Sequence, residues 1–309
     1  MTNRKRGLLN LASASIGQLM MIAIGFLLPR LFITSFGSEV NGLLSSANQI
    51  LMYLAIFEAG VGSVTLQALY GPVARQDENT ISGILSATNK YYKKTSLLYG
   101  LTLVAVAVLY PLVVAIDQPF LTVSLIILLV GLPQVVSFYI QAKFILLLKA
   151  DGKNYVVTTL NTLVTVLAGL VKVALMLKGF SVLPVIIAQC LIQLIQAWYI
   201  SRYMKKHYPR ISMEAQPDYP AIAQKNYMLV HQLSGLVYHN TDVLILTMVS
   251  GLKVVSVYSI YKLVMSQLGN MLFNVLNSVD FILGQTYQTD MDKYRRRIDQ
   301  FESMFSAVA

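Results

Sequence analysis

LLNLASASIGQLMMIAIGFLLPRLFI, residues Leu8 to Ile33, runs for 26 residues with a single charge, Arg30. As a helix it measures about 39 Å, more than the roughly 30 Å of a bilayer's hydrocarbon core. Arg4, Lys5 and Arg6 precede it and no small-residue cleavage site follows at signal-peptide distance, so it reads as a retained first spanning helix. Apolar runs at about 40–68, 95–116, 119–148, 155–177, 182–204, 227–250 and 253–284 predict seven more, and Phe301 opens the start of a ninth. None has the strict alternation of a barrel strand, so the predicted class is an all-α, polytopic membrane bundle. Composition agrees: 56% of residues are hydrophobic and 12% are charged, where a soluble domain carries about 25% charged residues. Pro133 predicts a kink in the fourth helix.

A net charge of +10 would suggest nucleic acid in a soluble protein. Here the basic residues sit in the short connections. Alternate connections hold nineteen lysines and arginines, from Arg4 to Arg297, and the opposite side holds only Lys178 and Lys253. By the positive-inside rule the N-terminus and the longer loops are expected in the cytoplasm, with the chain a multi-pass protein of the bacterial inner membrane and no nucleic-acid partner. Cys190 is the single cysteine and lies in an apolar run, which excludes an internal disulfide and a cysteine-based metal site.

The connection at 205–226 contains Pro209, Pro217 and Pro220 and divides the chain into a six-helix lobe, 1–204, and an incomplete second lobe, 227–309. Sliding the sequence on itself by 214 residues aligns Gln18 with Gln232, Leu19 with Leu233, Gly37 with Gly251, Val40 with Val254 and Ser45 with Ser259. Six crossings separate the two hairpins, and an even number preserves orientation, so the lobes are expected to be parallel repeats. Two full repeats would span about 428 residues, twice the offset, so the chain reads as truncated by roughly four helices.

Ionisable groups inside a membrane are costly and mark cavities or partners. Arg30, Lys172 and Lys262, with Asn240, are the candidate cavity residues for substrate; Glu58, Asp242 and His239 are the candidate titratable residues for coupling. Glu58 lies in a small-residue ladder of Ala55, Ala59 and Ser63 that lets a neighbouring helix approach. Asp242 follows His239, Asn240 and Thr241, a polar turn that must face protein or water. His231 and His239 are eight apart on one face, and two histidines do not complete a metal site. Gly37 and Gly251 fall at the tight external turns of the two hairpins, where left-handed geometry favours glycine. No nucleophile motif, phosphate loop or metal-ligand cluster occurs, so no catalytic residue, metal or cofactor is expected, and the enzyme reading lacks a supporting constellation.

PRLFITSFGSEVNGLLSSANQ from Pro29, FEAGVG at Phe57 to Gly62, LYGPVARQD at Leu69 to Asp77 and HQLSGLVYHNTDVLIL at His231 to Leu246 resemble bacterial polysaccharide-export flippases of the Wzx type. The resemblance covers nearly the whole chain and is diffuse, without one diagnostic signature. It implies membership of the multidrug/oligosaccharidyl-lipid/polysaccharide exporter superfamily, with two six-helix lobes rocking around a central cavity. The function it implies is flipping of a polyprenyl-diphosphate-linked oligosaccharide for surface polysaccharide biosynthesis, coupled to protons, Na+ or membrane potential. Its implied partners are that lipid-linked oligosaccharide, membrane lipids, a polysaccharide polymerase and glycosyltransferases. The rival readings are a multidrug or cation antiporter, using Glu58 and Asp242 for the coupling ion, and a non-transporting membrane component of a polysaccharide assembly complex.

Overall fold

The computed structural model describes residues 3–54, 58, 60–114, 116–223 and 241–306, and every regular element among them is helical. In chain order these are α1 (Asn3–Leu54), α2 (Val61–Arg75), α3 (Glu78–Val113), α4 (Phe120–Ile140), α5 (Ala142–Ala150), α6 (Asn154–Leu177), α7 (Val182–His207), a short 3-10 turn (Pro220–Ile222), α8 (241–249), α9 (Leu252–Thr289) and α10 (Met291–Ser306). Five of them, α1, α3, α4, α6 and α7, are long and apolar enough to cross a membrane, against the eight expected.

Particular breaks account for much of that difference. Gly37, with φ 86° and ψ 163°, splits α1 into two helical limbs. Contacts fix their directions. Asn10 reaches Tyr155 and Gly152 at the start of α6, and Ile24 meets Gly169 further along, so the first limb runs parallel to α6. Glu39 accepts from the Asp117 amide at 3.1 Å just past the end of α3, and the Leu51 carbonyl accepts from Tyr99 in its interior. The second limb therefore runs antiparallel to α3, and the two limbs form a hairpin turned at Gly37, as expected.

The helix expected over 40–68 is interrupted. Gly60 has φ 87°, and α2 starts afresh at Val61 before continuing along α3, where Thr65 and Thr88 hydroxyls meet at 3.0 Å. The helix expected over 119–148 breaks at Gln141, and Pro133 lies inside the helical α4. The seventh expected helix is described only from residue 241. Phe301, where the ninth run was expected to start, lies inside α10, whose earlier turns carry Asp292, Lys293, Arg295, Arg296, Arg297 and Asp299, and α10 is not among the helices apolar enough to cross a membrane.

The two ends of the bundle differ in charge as the loop pattern predicted. Arg6, Asp151, Lys153 and Tyr208 come together at one end; the Gly37 turn and the loop before α4 meet at the other. The connection after α7 does not hang free. The Asp218 amide donates to the Gly83 carbonyl at 3.0 Å, the Ser212 amide to Ser82 Oγ at 3.2 Å, and Ile222 is buried against Val64 and Ala87.

The core is built where α3, α4 and the second limb of α1 meet: Tyr92, Tyr99 and Phe138 are fully buried, with Tyr92 stacked on Phe138 and Tyr99 edge-on to it. The outer surface is apolar instead of polar, with Leu97, Leu101, Leu112, Leu163, Leu170 and Leu191 all exposed. In water such a surface would drive aggregation, whereas hydrocarbon solvates it. At the basic end Arg202 lies over Trp198 and Lys93 over Tyr139, the aromatic and cationic belt of a membrane interface.

Candidate functional site

The hairpin of α1 and the hairpin formed by α8 and α9 pack directly on each other. Gly251 has φ 77° and ψ 170°, close to the Gly37 geometry 214 positions earlier, so the aligned glycines make the same turn. Among the described residues, side-chain hydrogen bonds cross between the hairpins from Asn41 Nδ2 to Ser256 Oγ at 2.7 Å, from Thr247 Oγ1 to Ser46 Oγ at 3.1 Å, and between the Tyr53 and Thr241 hydroxyls at 2.9 Å. At Gly42 a Cβ would lie 2.0 Å from the Leu252 carbonyl oxygen, so only glycine lets the two backbones approach this closely. The seam combines a small residue with hydroxyl and amide groups, the means by which helices associate in lipid, where no hydrophobic force separates them from their solvent.

Two charged groups flank this seam. Asp242 follows Thr241 directly, and Lys262 Nζ donates to both its carboxylate oxygens at 2.9 and 3.2 Å, while the Tyr258 hydroxyl also donates to it. The Asp242 and Lys262 side chains remain 37% and 29% exposed. An ion pair partly open inside an apolar bundle belongs against water or a polar ligand, since lipid would leave its remaining donors unsatisfied. Lys262 was expected as a cavity cation and Asp242 as a separate coupling group; the structure brings them together as one neutralised unit.

Glu58 stands at the break between α1 and α2. Tyr92 donates to its Oε1 at 2.7 Å, and together with Lys149, Ser63 and Gly62 it lines a cavity of about 260 Å³. Tyr92 precedes Lys93 and Lys94, and Lys93 belongs to the aromatic belt, so Glu58 lies near the basic interface and not at the bilayer centre. A Cβ on Gly62 would lie 2.7 Å from Glu58 Oε1, so a larger residue there would displace the carboxylate.

Arg30 is exposed on the first limb of α1, and Lys172 is half-buried on α6 with its ammonium 5.8 Å above the Phe32 ring. Neither forms an ion pair among the described residues. His231, His239 and Asn240 lie outside the described residues. No group of three metal-ligating side chains occurs among those described. Sequence reasoning missed Tyr92, Lys149, Asn41 and Ser256. Lys149 counted only as a topology signal, and Asn41 and Ser256 carry no charge to mark them, although each lies within five residues of a turn glycine.

No protein-family model matches the sequence, and no curated protein matches it. Among solved structures, the chain is similar to one described as "protein A", with a TM-score of 0.74, 13% identity, and coverage of 98% of this chain and 71% of that one. It is also similar to the MATE multidrug transporter DinF-BH, solved in complex with R6G, with a TM-score of 0.66, 12% identity, and coverage of 98% of this chain and 70% of that one. The fold resembles that of this MATE transporter. At these identities the likeness concerns architecture alone: a multi-pass helical membrane fold like that of the MATE transporter, which does not single out the Wzx branch.

Proposed function

We propose that the chain works as an alternating-access exporter in which the two packed hairpins line the path. The observation that carries this is the polar seam of Asn41, Ser46, Tyr53, Thr241, Thr247 and Ser256 between repeat-related hairpins of a MATE-type fold. Hydrogen bonds between hydroxyls and amides can break and reform at modest cost when water enters, as opening of one end requires. The first six helices, including the two limbs of the Gly37 hairpin, would form one lobe; α8 and α9 would begin the second, with the basic end cytoplasmic.

For the cargo, the likeness to the multidrug transporter DinF-BH gives most direct support to the multidrug or cation antiporter reading. In that reading Asp242 alternates between Lys262 and the cation. Glu58, near the basic interface, would be a relay to the cytoplasm.

A second reading, flipping of a polyprenyl-diphosphate-linked oligosaccharide, is favoured by charge. Arg30 and Lys172 have no carboxylate partner among the described residues, Lys262 is balanced by Asp242, and Glu58 shares its cavity with Lys149. A path with excess positive charge suits a diphosphate and repels a cation. Proteoliposomes offered either a fluorescent organic cation or a labelled polyprenyl-diphosphate sugar separate the two. Movement of the dye against a proton gradient supports antiport, movement of the sugar lipid supports flipping, and movement of neither contradicts both.

A further inference from the structure

A groove of about 500 Å³ opens at the basic end, away from the seam. Its walls come from four places far apart in sequence: Arg6 at the start of α1, the corner between α2 and α3, Asp151 and Lys153 after α5, and residues His207 to Ile211 after α7. Asp151 is fully engaged. It accepts from Arg6 Nη1 at 2.9 Å, Lys153 Nζ at 2.7 Å and the Tyr208 hydroxyl at 2.5 Å. This network holds the walls together, because Lys153 also donates to the Tyr208 hydroxyl at 2.9 Å and lies over its ring.

The donors outnumber what the network uses. Arg6 Nε is shielded from solvent and has no hydrogen-bond partner, although Arg6 itself lines the groove. A buried guanidinium N–H without an acceptor is costly to leave unmade. Arg210 is 80% exposed and meets only Glu78, at 3.8 Å. His207 donates Nδ1–H to the Tyr203 carbonyl at 2.9 Å, so its Nε2 can donate to an anion as the imidazolium. Three permanent cations, Arg6, Lys153 and Arg210, stand against two carboxylates, Asp151 and Glu78. One positive charge and one N–H thus remain beyond what the pairing uses.

We propose that this groove is a binding site for a phosphomonoester group, held by Arg6, Arg210 and His207 with Lys153 as the supporting charge. A phosphomonoester brings up to two negative charges and several acceptor oxygens, which matches forked guanidinium donors. Arg202 and Trp198 on α7 place this end at the membrane interface, within reach of a lipid headgroup as well as of a soluble phosphate. The site does not depend on which cargo the exporter moves. Because its walls include both the first helix and the connection after α7, a bound anion would fasten that connection to the first lobe.

The test uses the full chain and two probes: inorganic phosphate in detergent, and phosphatidylcholine vesicles with or without phosphatidic acid. Binding is read by the thermal unfolding midpoint and by native mass spectrometry. At least one probe should bind and raise the midpoint; phosphate alone identifies a soluble source, and phosphatidic acid alone a lipid source. A His207→Gln, Arg210→Gln double variant, which leaves the Asp151 network intact, should bind about tenfold more weakly or worse. Arg6→Lys, which keeps the charge and removes Nε, should weaken binding as well. Failure of both probes to bind, or unchanged affinity in the folded double variant, overturns the proposal.

Discussion

Asp242 and Lys262 show how pairing changes the meaning of a residue. Each alone is a costly intramembrane charge, and together with Tyr258 they form a locally neutral unit. Asp242→Ala or Lys262→Ala should each lower stability by about 1 kcal/mol, a figure reduced by the partial exposure of both groups. The double substitution should recover part of that loss, and thermal unfolding in detergent checks the cycle. Tyr208 is held protonated at the basic end: burial first, then the adjacent Asp151 charge, push its hydroxyl well above the usual tyrosine range. A raised folded value means its contribution is fully present below about pH 10 and is lost as pH rises further. The stability difference between the native chain and Tyr208→Phe should therefore stay constant through neutral pH and shrink in strong alkali. Asp77 has the opposite sign. The Thr80 hydroxyl and amide hold its carboxyl below the usual aspartate range where it caps α3. Asp77→Ala should lower the unfolding midpoint at neutral pH, and that difference should fade as pH falls through the lowered value.

At the scale of elements, the hairpin turns were legible because glycine at 37 and 251 is the residue that positive φ demands, and the 214-residue offset aligned them. The breaks at Gly60 and Gln141 were not. Both fall inside runs that are apolar on either side of the polar positions Glu58 and Gln141, so each run reads as one continuous helix. The Asp242 pair was hidden for another reason: its members are 20 residues apart on two helices, and only the tight turn at Gly251 brings them into register. The groove at the basic end draws on four separated segments, which no local pattern could have joined. Close packing of the hairpins gives two tests. Gly42→Ala places a methyl against the Leu252 carbonyl and should cost about 1–3 kcal/mol, measured by thermal unfolding. An Asn41→Cys, Ser256→Cys variant should cross-link on oxidation, since the native side chains meet at 2.7 Å, and the link should stop transport until reduced.

Over the whole molecule, an apolar exterior, a basic end with its aromatic belt, and matching turns at Gly37 and Gly251 describe a multi-pass membrane bundle built from related hairpins. The likeness to DinF-BH agrees with that architecture. Movement of the seam is the feature on which every transport reading depends. The most direct test reconstitutes the native chain and the Asn41→Cys, Ser256→Cys variant in proteoliposomes and follows both a fluorescent organic cation and a labelled polyprenyl-diphosphate sugar. The account predicts that the native chain moves one of them and that oxidation of the variant abolishes this movement reversibly. Transport of neither probe, or transport that continues unchanged with the seam cross-linked, would contradict it.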